Sequence, residues 1–296
     1  MKNKSKEIRL DMLVNHNFPY AVFEEVKHNF VYHYDIKEFL PLRNIFKDFI
    51  DLMEGRYPGY KRCNTKFHDV QHTTDALLAI SRLIDGYNIK NPKKKFSVKK
   101  VKLALIATIF HDIGYLQTID DEVGTGAKYT LTHLDRSIKF LSKYFAKNKF
   151  NKQDFESVKN MVSCTGVEVN INDIKFKNKE EKILGLMLAT ADLLGQMSSR
   201  TYLEKLIFLY FEFKEGGVNK YASEFDLLKK TLEFYKVVKE LFEKEYGGVY
   251  KYAKEHFKKR YNIEENLYIK TIEREIKYLE SIKSSSEIPK KLRRKI

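Results

Sequence analysis

Five residues stand out for what they could do together: His68 and His72, four apart; the adjacent pair His111-Asp112; and Asp192. A spacing of four puts two side chains on one helix face, about a turn apart, so His68 and His72 are expected to point into one cavity. Two imidazoles and two carboxylates make a sound donor set for a divalent cation of hard to borderline character. Taken singly, a core histidine is usually satisfied by a hydrogen bond, and a lone aspartate can cap a neighbouring helix. Coincidence changes that reading, because the polar groups sit in the most apolar segments of the chain. Burying several unpaired ionisable groups costs several kcal/mol, and a shared cation removes the cost.

The ligands come from separate segments, so a fold must gather them. Residues 36–54 place apolar groups at spacings of three and four, as one buried helix face requires. A break follows at Gly55-Arg56-Tyr57-Pro58-Gly59. Residues 68–85 read as a second helix ending near Gly86. Residues 98–113 form a nearly continuous apolar helix, with His111-Asp112 at its end and Gly114 closing it. Thr132 could cap a helix over 133–146, and Asn151 or Gln153 precedes another that runs to about 163. Residues 180–198 are again strongly apolar and carry Asp192. After Gly216-Gly217 the chain turns more charged and amphipathic. Two long helices are expected there, 221–246 and 263–285, separated by Gly247-Gly248 and the 249–262 segment. The whole reads as all-α, with an N-terminal helical extension over 1–54, a core over 55–215 and C-terminal helices over 216–296 packed on that core.

Composition agrees. The 296 residues are 43% hydrophobic and 32% charged, with only 5 Pro and 13 Gly, which favours long helices over a many-turned β fold. Lys and Arg number 55 against 40 Asp and Glu, a net +15. Such a surplus attracts anions such as phosphorylated metabolites or nucleic acid, or is simply a lysine-rich surface. The run at 290–295 reads as a solvated tail. Two cysteines, Cys63 and Cys164, are no disulfide framework. With no apolar leader and no stretch able to span a bilayer, a cytoplasmic protein is expected. No GxGxxG or GxxxxGK[ST] loop marks a nucleotide-binding strand–helix turn.

The order His72, His111-Asp112, Asp192 is similar to the H…HD…D signature of the HD superfamily, which comprises all-helical metal-dependent phosphohydrolases. Phe67-His68-Asp69-Val70-Gln71-His72 resembles the Y-H-N-x-x-H segment of cyclic nucleotide phosphodiesterases, whose fold contains the HD core. Ile109-Phe110-His111-Asp112-Ile113-Gly114 resembles the apolar-HDIG string of bacterial HD proteins. Thr132-His133-Leu134-Asp135 is similar to the helix start that carries a further histidine in many members. Ala191-Asp192-Leu193-Leu194 resembles the segment holding the last ligand, and Tyr210-Phe211-Glu212-Phe213 the E-F ending that follows it in phosphodiesterases. The likeness spans roughly 55–215.

That resemblance implies a multi-helix HD-domain bundle in which His72, His111, Asp112 and Asp192 bind a divalent cation (Fe, Mn, Zn or Mg), one or two per chain. It also implies that Asp112 could bridge to a second ion and that His68 protonates the leaving oxygen as general acid. His133 could serve a second metal, a substrate phosphate or structure alone. Position 69 is Asp where phosphodiesterases have Asn, and the later paired histidines of some two-metal members are replaced by Ser163-Cys164-Thr165-Gly166. Gln196, a turn beyond Asp192, would face the same cavity and could contact a substrate. Arg62 and Lys66, with Arg200, offer phosphate contacts. The expected activity is hydrolysis of a phosphodiester or phosphomonoester, with a small nucleotide-like substrate, no membrane partner and room for a homo-oligomer. The rivals are a nucleotidase or triphosphohydrolase, a non-catalytic helical module stabilised by metal, and a basic nucleic-acid-binding protein. The last lacks any recognisable nucleic-acid motif.

Overall fold

The computed structural model describes residues 8–166, 169–283 and Leu292. Among them are eleven α-helices and no β-strand: α1 (Pro19–Val31), α2 (Ile36–Met53), α3 (Val70–Lys90), α4 (Val98–Phe110), α5 (His133–Lys147), α6 (Lys152–Ser163), α7 (Lys179–Ser198), α8 (Tyr202–Glu215), α9 (Glu224–Glu240), α10 (Tyr252–Tyr261) and α11 (Leu267–Ile282). The expected all-α class stands. No helix among the described residues is long and apolar enough to cross a membrane. Cys63 and Cys164 are free thiols. Of the basic run at 290–295, all but Leu292 lies outside the described residues, as do positions 284 and 285 of the last expected helix.

Helix α3 is the axis of the molecule. It is buried on nearly every face, and α1, α7 and α10 pack along it. Helix α7 lies against α3 and also touches α4, α6 and α11, while α8 pairs with α9. One hydrophobic cluster runs from Leu10 through α2, α4 and α7 to Leu279 in α11. Starts follow the capping rule: Asp69, Asn151 and Asn178 each accept a backbone N–H of the first turn of α3, α6 and α7.

Several sequence boundaries shift for stated reasons. Helix α3 does not end at Gly86 but continues to Lys90. A Cβ at Gly86 would lie 1.9 Å from Tyr252 O, so this glycine admits the start of α10. Helix α4 stops at Phe110, leaving His111 and Asp112 in the turn beyond it. Gly114 is no helix cap; its φ is not positive, and a Cβ there would lie 1.9 Å from His133 O. Thr132 makes no side-chain cap for α5. The 249–262 segment, expected as a separator, is mostly helix α10, and α9 ends in a π-turn over Leu241–Glu245.

A buried ionic cluster fastens the turn after α1, and α10, to α3. The fully buried Asp85 accepts from His33 Nε2 at 2.9 Å, His256 Nδ1 at 2.7 Å and Arg260 at 2.5 Å. Burial alone would raise the Asp85 carboxyl, but these three donors hold it well below the usual carboxylate range. His256, pushed down to about 4 by burial, is neutral and donates from Nδ1. Asp85→Ala would strand the Arg260 charge and two imidazoles in the interior. It is expected to cost roughly 3–5 kcal/mol, read as a lowered denaturation midpoint with unchanged slope in urea.

Candidate metal centre

Three elements converge at one end of the α3–α7 contact. His72 sits in the first turn of α3, His111 and Asp112 in the turn after α4, and Asp192 in α7. His72 Nε2 lies 3.0 Å from Asp112 Oδ2 and 3.2 Å from Asp192 Oδ1. His111 Nε2 lies 3.3 and 3.6 Å from the same two oxygens. Ligand atoms of His72, His111 and Asp112 all fall within 4.8 Å of one another. His111 Nδ1 donates to Thr108 O at 2.8 Å, which fixes the tautomer and leaves the Nε2 lone pair for the site. His133, at the head of α5, repeats the device: Nδ1 donates to Thr130 O at 2.7 Å, and Nε2 lies 3.6 Å from Asp112 Oδ1. Asp112 therefore turns one oxygen to each side.

The turn carrying His111-Asp112 is strapped to α5. Gly114 N donates to Ser137 Oγ at 2.9 Å, and Arg136 donates to the carbonyls of Gly114 and Leu116 at 2.7 Å each.

His68 reaches this centre by a different route from the one expected. It precedes α3 and is not on its face; Asp69 is the N-cap, accepting from His72 N at 2.9 Å and pairing with Lys205 at 2.7 Å. The His68 ring is held by Glu212 of α8. Glu212 Oε2 accepts from His68 Nδ1 at 2.7 Å, and its Oε1 accepts from the backbone N–H groups of Lys66 and Phe67 at 2.7 Å each. Tyr115 is sandwiched between His68 (centroids 4.3 Å apart) and His133 (4.6 Å). Sequence reasoning assigned no role to Glu212 or Tyr115. The signal that found Asp192, an acid inside an apolar helical run, was equally present at Glu212.

Electrostatics bind the cluster together. Burial would depress His72, but Asp112 and Asp192 outweigh it and lift it from 6.5 to about 9. His111 is likewise raised against its burial by the same two carboxylates. Against the opposite pull of burial, the imidazoles hold Asp112 and Asp192 well below the usual carboxylate range. His133 is lowered by burial, which keeps its Nε2 lone pair available. Glu212 is also lowered, since His68 and the two backbone donors outweigh its burial.

His111 Nε2 and Asp192 Oδ1 are buried and, apart from the 3.2–3.6 Å charge contacts above, make no well-aligned hydrogen bond among the described residues. A cation would satisfy both, so the donor set fits a divalent metal. The cluster opens into a cavity of about 400 Å³ that His68, His133 and Gln196 also line, under a roof of α8, α9 and the π-turn. Arg62 and Lys66 do not line it. Both are exposed, and Lys66 lays its ammonium over the Phe208 ring at 5.2 Å; only its backbone N–H faces inward, through Glu212. Arg200 borders a separate cavity with His16 and Asp75. Lys230, which sequence reasoning passed over, is the one lysine or arginine on the wall among the described residues.

A family model described as Npun_R2479-like matches residues 120–273, more than half of the chain. The chain belongs to the Npun_R2479-like family. No curated protein and no solved structure matches it. The Npun_R2479-like region supplies Asp192, His133, Glu212 and the roof of the cavity, whereas His68, His72, His111 and Asp112 precede it.

The raised His72 has a sign that can be tested. In metal-free protein its contribution to stability is fully present below 6.5 and lost as the pH rises through about 9. A divalent cation competes for the same lone pair, so its stabilising increment should grow across that window. Thermal melts of chelator-treated and Mn²⁺-reconstituted protein measure both; an increment that shrinks with pH contradicts the assignment.

Proposed function

We propose that this protein is a metal-dependent phosphohydrolase of the HD type. The observation that supports this most is the convergence of His72, His111, Asp112 and Asp192 on one point, at the floor of a cavity that His68 also lines. A bound divalent ion would supply Lewis acidity toward a phosphoryl oxygen and lower the pKa of a water. Nitrogen and carboxylate donors suit Fe, Mn or Zn better than an all-oxygen Mg site. Asp112, with an oxygen toward His133, could serve a second ion.

The chain's own groups divide the remaining work. Glu212 holds the Nδ1 proton of His68 and sets the ring's orientation, leaving Nε2 to deliver a proton to the leaving oxygen as general acid. Tyr115 keeps that ring and the His133 ring parallel. It stays a phenol, since burial and the Asp112 charge push it well above its ordinary value. Gln196 lines the wall within reach of a substrate. The roof helices cover most of the centre, leaving the Asp112 and Asp192 side chains 11% and 18% exposed, and this partial burial strengthens the charge interactions there.

The test is turnover of p-nitrophenyl phosphate and bis-p-nitrophenyl phosphate by protein with its metal content measured. Asp112→Ala should lose both metal and turnover. His68→Asn should keep the metal and lose about 10²–10⁴-fold in kcat. Wild-type protein that takes up no Mn²⁺, Fe²⁺ or Zn²⁺ would end the proposal.

A further inference from the structure

The wall above the metal centre differs from what a nucleotide needs. Leu206, Leu209 and Phe213 of α8, Phe234 of α9, and Leu241 and Tyr246 of the π-turn region make most of it apolar. Several of its polar side chains are committed to the protein, although Gln196 and the hydroxyls of Tyr221 and Tyr246 are not among them. Thr130, Thr165 and Thr231 each donate their hydroxyl to a backbone carbonyl, at 2.7, 2.9 and 3.0 Å. Asn170 Oδ1 accepts from Asn172 N, and Lys230 pairs with Asp226 at 3.0 Å. Ribose hydroxyls and a base edge would lose water here with Gln196 and two tyrosine hydroxyls as the main partners on offer, and each group left unpaired costs about 1–3 kcal/mol. Beyond the metal and the histidines at the floor, a triphosphate would meet Glu245 and the already paired Lys230, the one lysine or arginine on the wall among the described residues. Phe234 both lines the cavity and is 39% exposed, so the mouth is apolar too.

We propose that the cavity takes an amphiphilic phosphate ester: one phosphate at the histidine–aspartate cluster and a flexible apolar chain along α8 and α9 to Phe234. The headgroup assignment rests on the phosphohydrolase reading; the chain assignment rests on the wall alone. An alkyl chain asks for no hydrogen bonds, and each methylene it buries strengthens binding roughly fourfold.

Calorimetry on the full-length Mn²⁺-loaded protein tests this with methylphosphonate, octylphosphonate, 1-octanol and AMP. Octylphosphonate is expected to bind at least about a hundredfold more tightly than methylphosphonate, allowing for incomplete burial of its added methylenes. It should also bind more tightly than 1-octanol or AMP. Phe234→Glu, at a position 39% exposed, should weaken octylphosphonate about tenfold more than methylphosphonate while the methylphosphonate affinity, which reports the intact floor of the cavity, stays within about twofold. Equal affinity for the two phosphonates, tighter binding of AMP, or equal binding of octanol would each overturn the inference. If the chain-length dependence holds but no phosphate ester is ever turned over, the hydrolase reading fails and the ligand class stands.

Discussion

Helices α3 and α7 carry His72 and Asp192, and they pass so closely that a Cβ on Gly195 would lie 2.7 Å from Ala76 N. This close approach holds an imidazole nitrogen and a carboxylate oxygen 3.2 Å apart inside the protein. Two more polar groups join them from the turn after α4, whose position depends in turn on Gly114 letting the head of α5 come in. Each contact replaces a side chain's volume with backbone proximity, and the result is a charged point in an apolar bundle. Such a point is costly unless its charges are mutually compensated. The opposed shifts of the imidazoles and carboxylates express that compensation in the metal-free cluster.

The Asp85 cluster offers an internal comparison. It too brings two histidines to one buried aspartate. There the guanidinium of Arg260 supplies the positive charge and fills the carboxylate's remaining acceptor sites. At the candidate metal centre two carboxylates face two imidazoles, with no arginine or lysine paired to them among the described residues. The same residue types therefore serve as a fastening in one place and form a candidate cation site in the other. What separates them is the count of carboxylates and the presence of a permanent cation.

Glu212 links the roof to the floor. Its carboxylate binds the pre-helix backbone at Lys66 and Phe67 as well as the His68 ring, so α8 cannot shift without loosening the residue proposed as proton donor. The apolar wall that α8 and α9 present over the centre is thus positioned by the same contact that orients the chemistry. A ligand packing along that wall would press on α8 and, through Glu212, on His68.

The helical class, the buried status of α7 and the identity of the clustered residues were all legible in the sequence, because periodicity and an ionisable group inside an apolar run are local properties. Asp192 and the His111-Asp112 pair announced themselves in that way, and Glu212, noticed only as part of an E-F ending, carried the same mark without being given a role. The end of α3 and the role of Gly114 were not legible. Both depend on a distant backbone segment, Tyr252 or His133, arriving within contact distance, and a glycine carries no record of what approaches it. For the same reason His68 was expected one turn along a helix face, whereas Asp69 caps the helix and Glu212, 144 residues away, holds His68. Arg62, Lys66 and Lys230 make the point for charge: which lysine lines the cavity is set by how α8 and α9 close over it, since every lysine carries the same charge wherever it falls in the chain. Residue type and period are written along the chain, but the distances between elements exist only once the elements have packed.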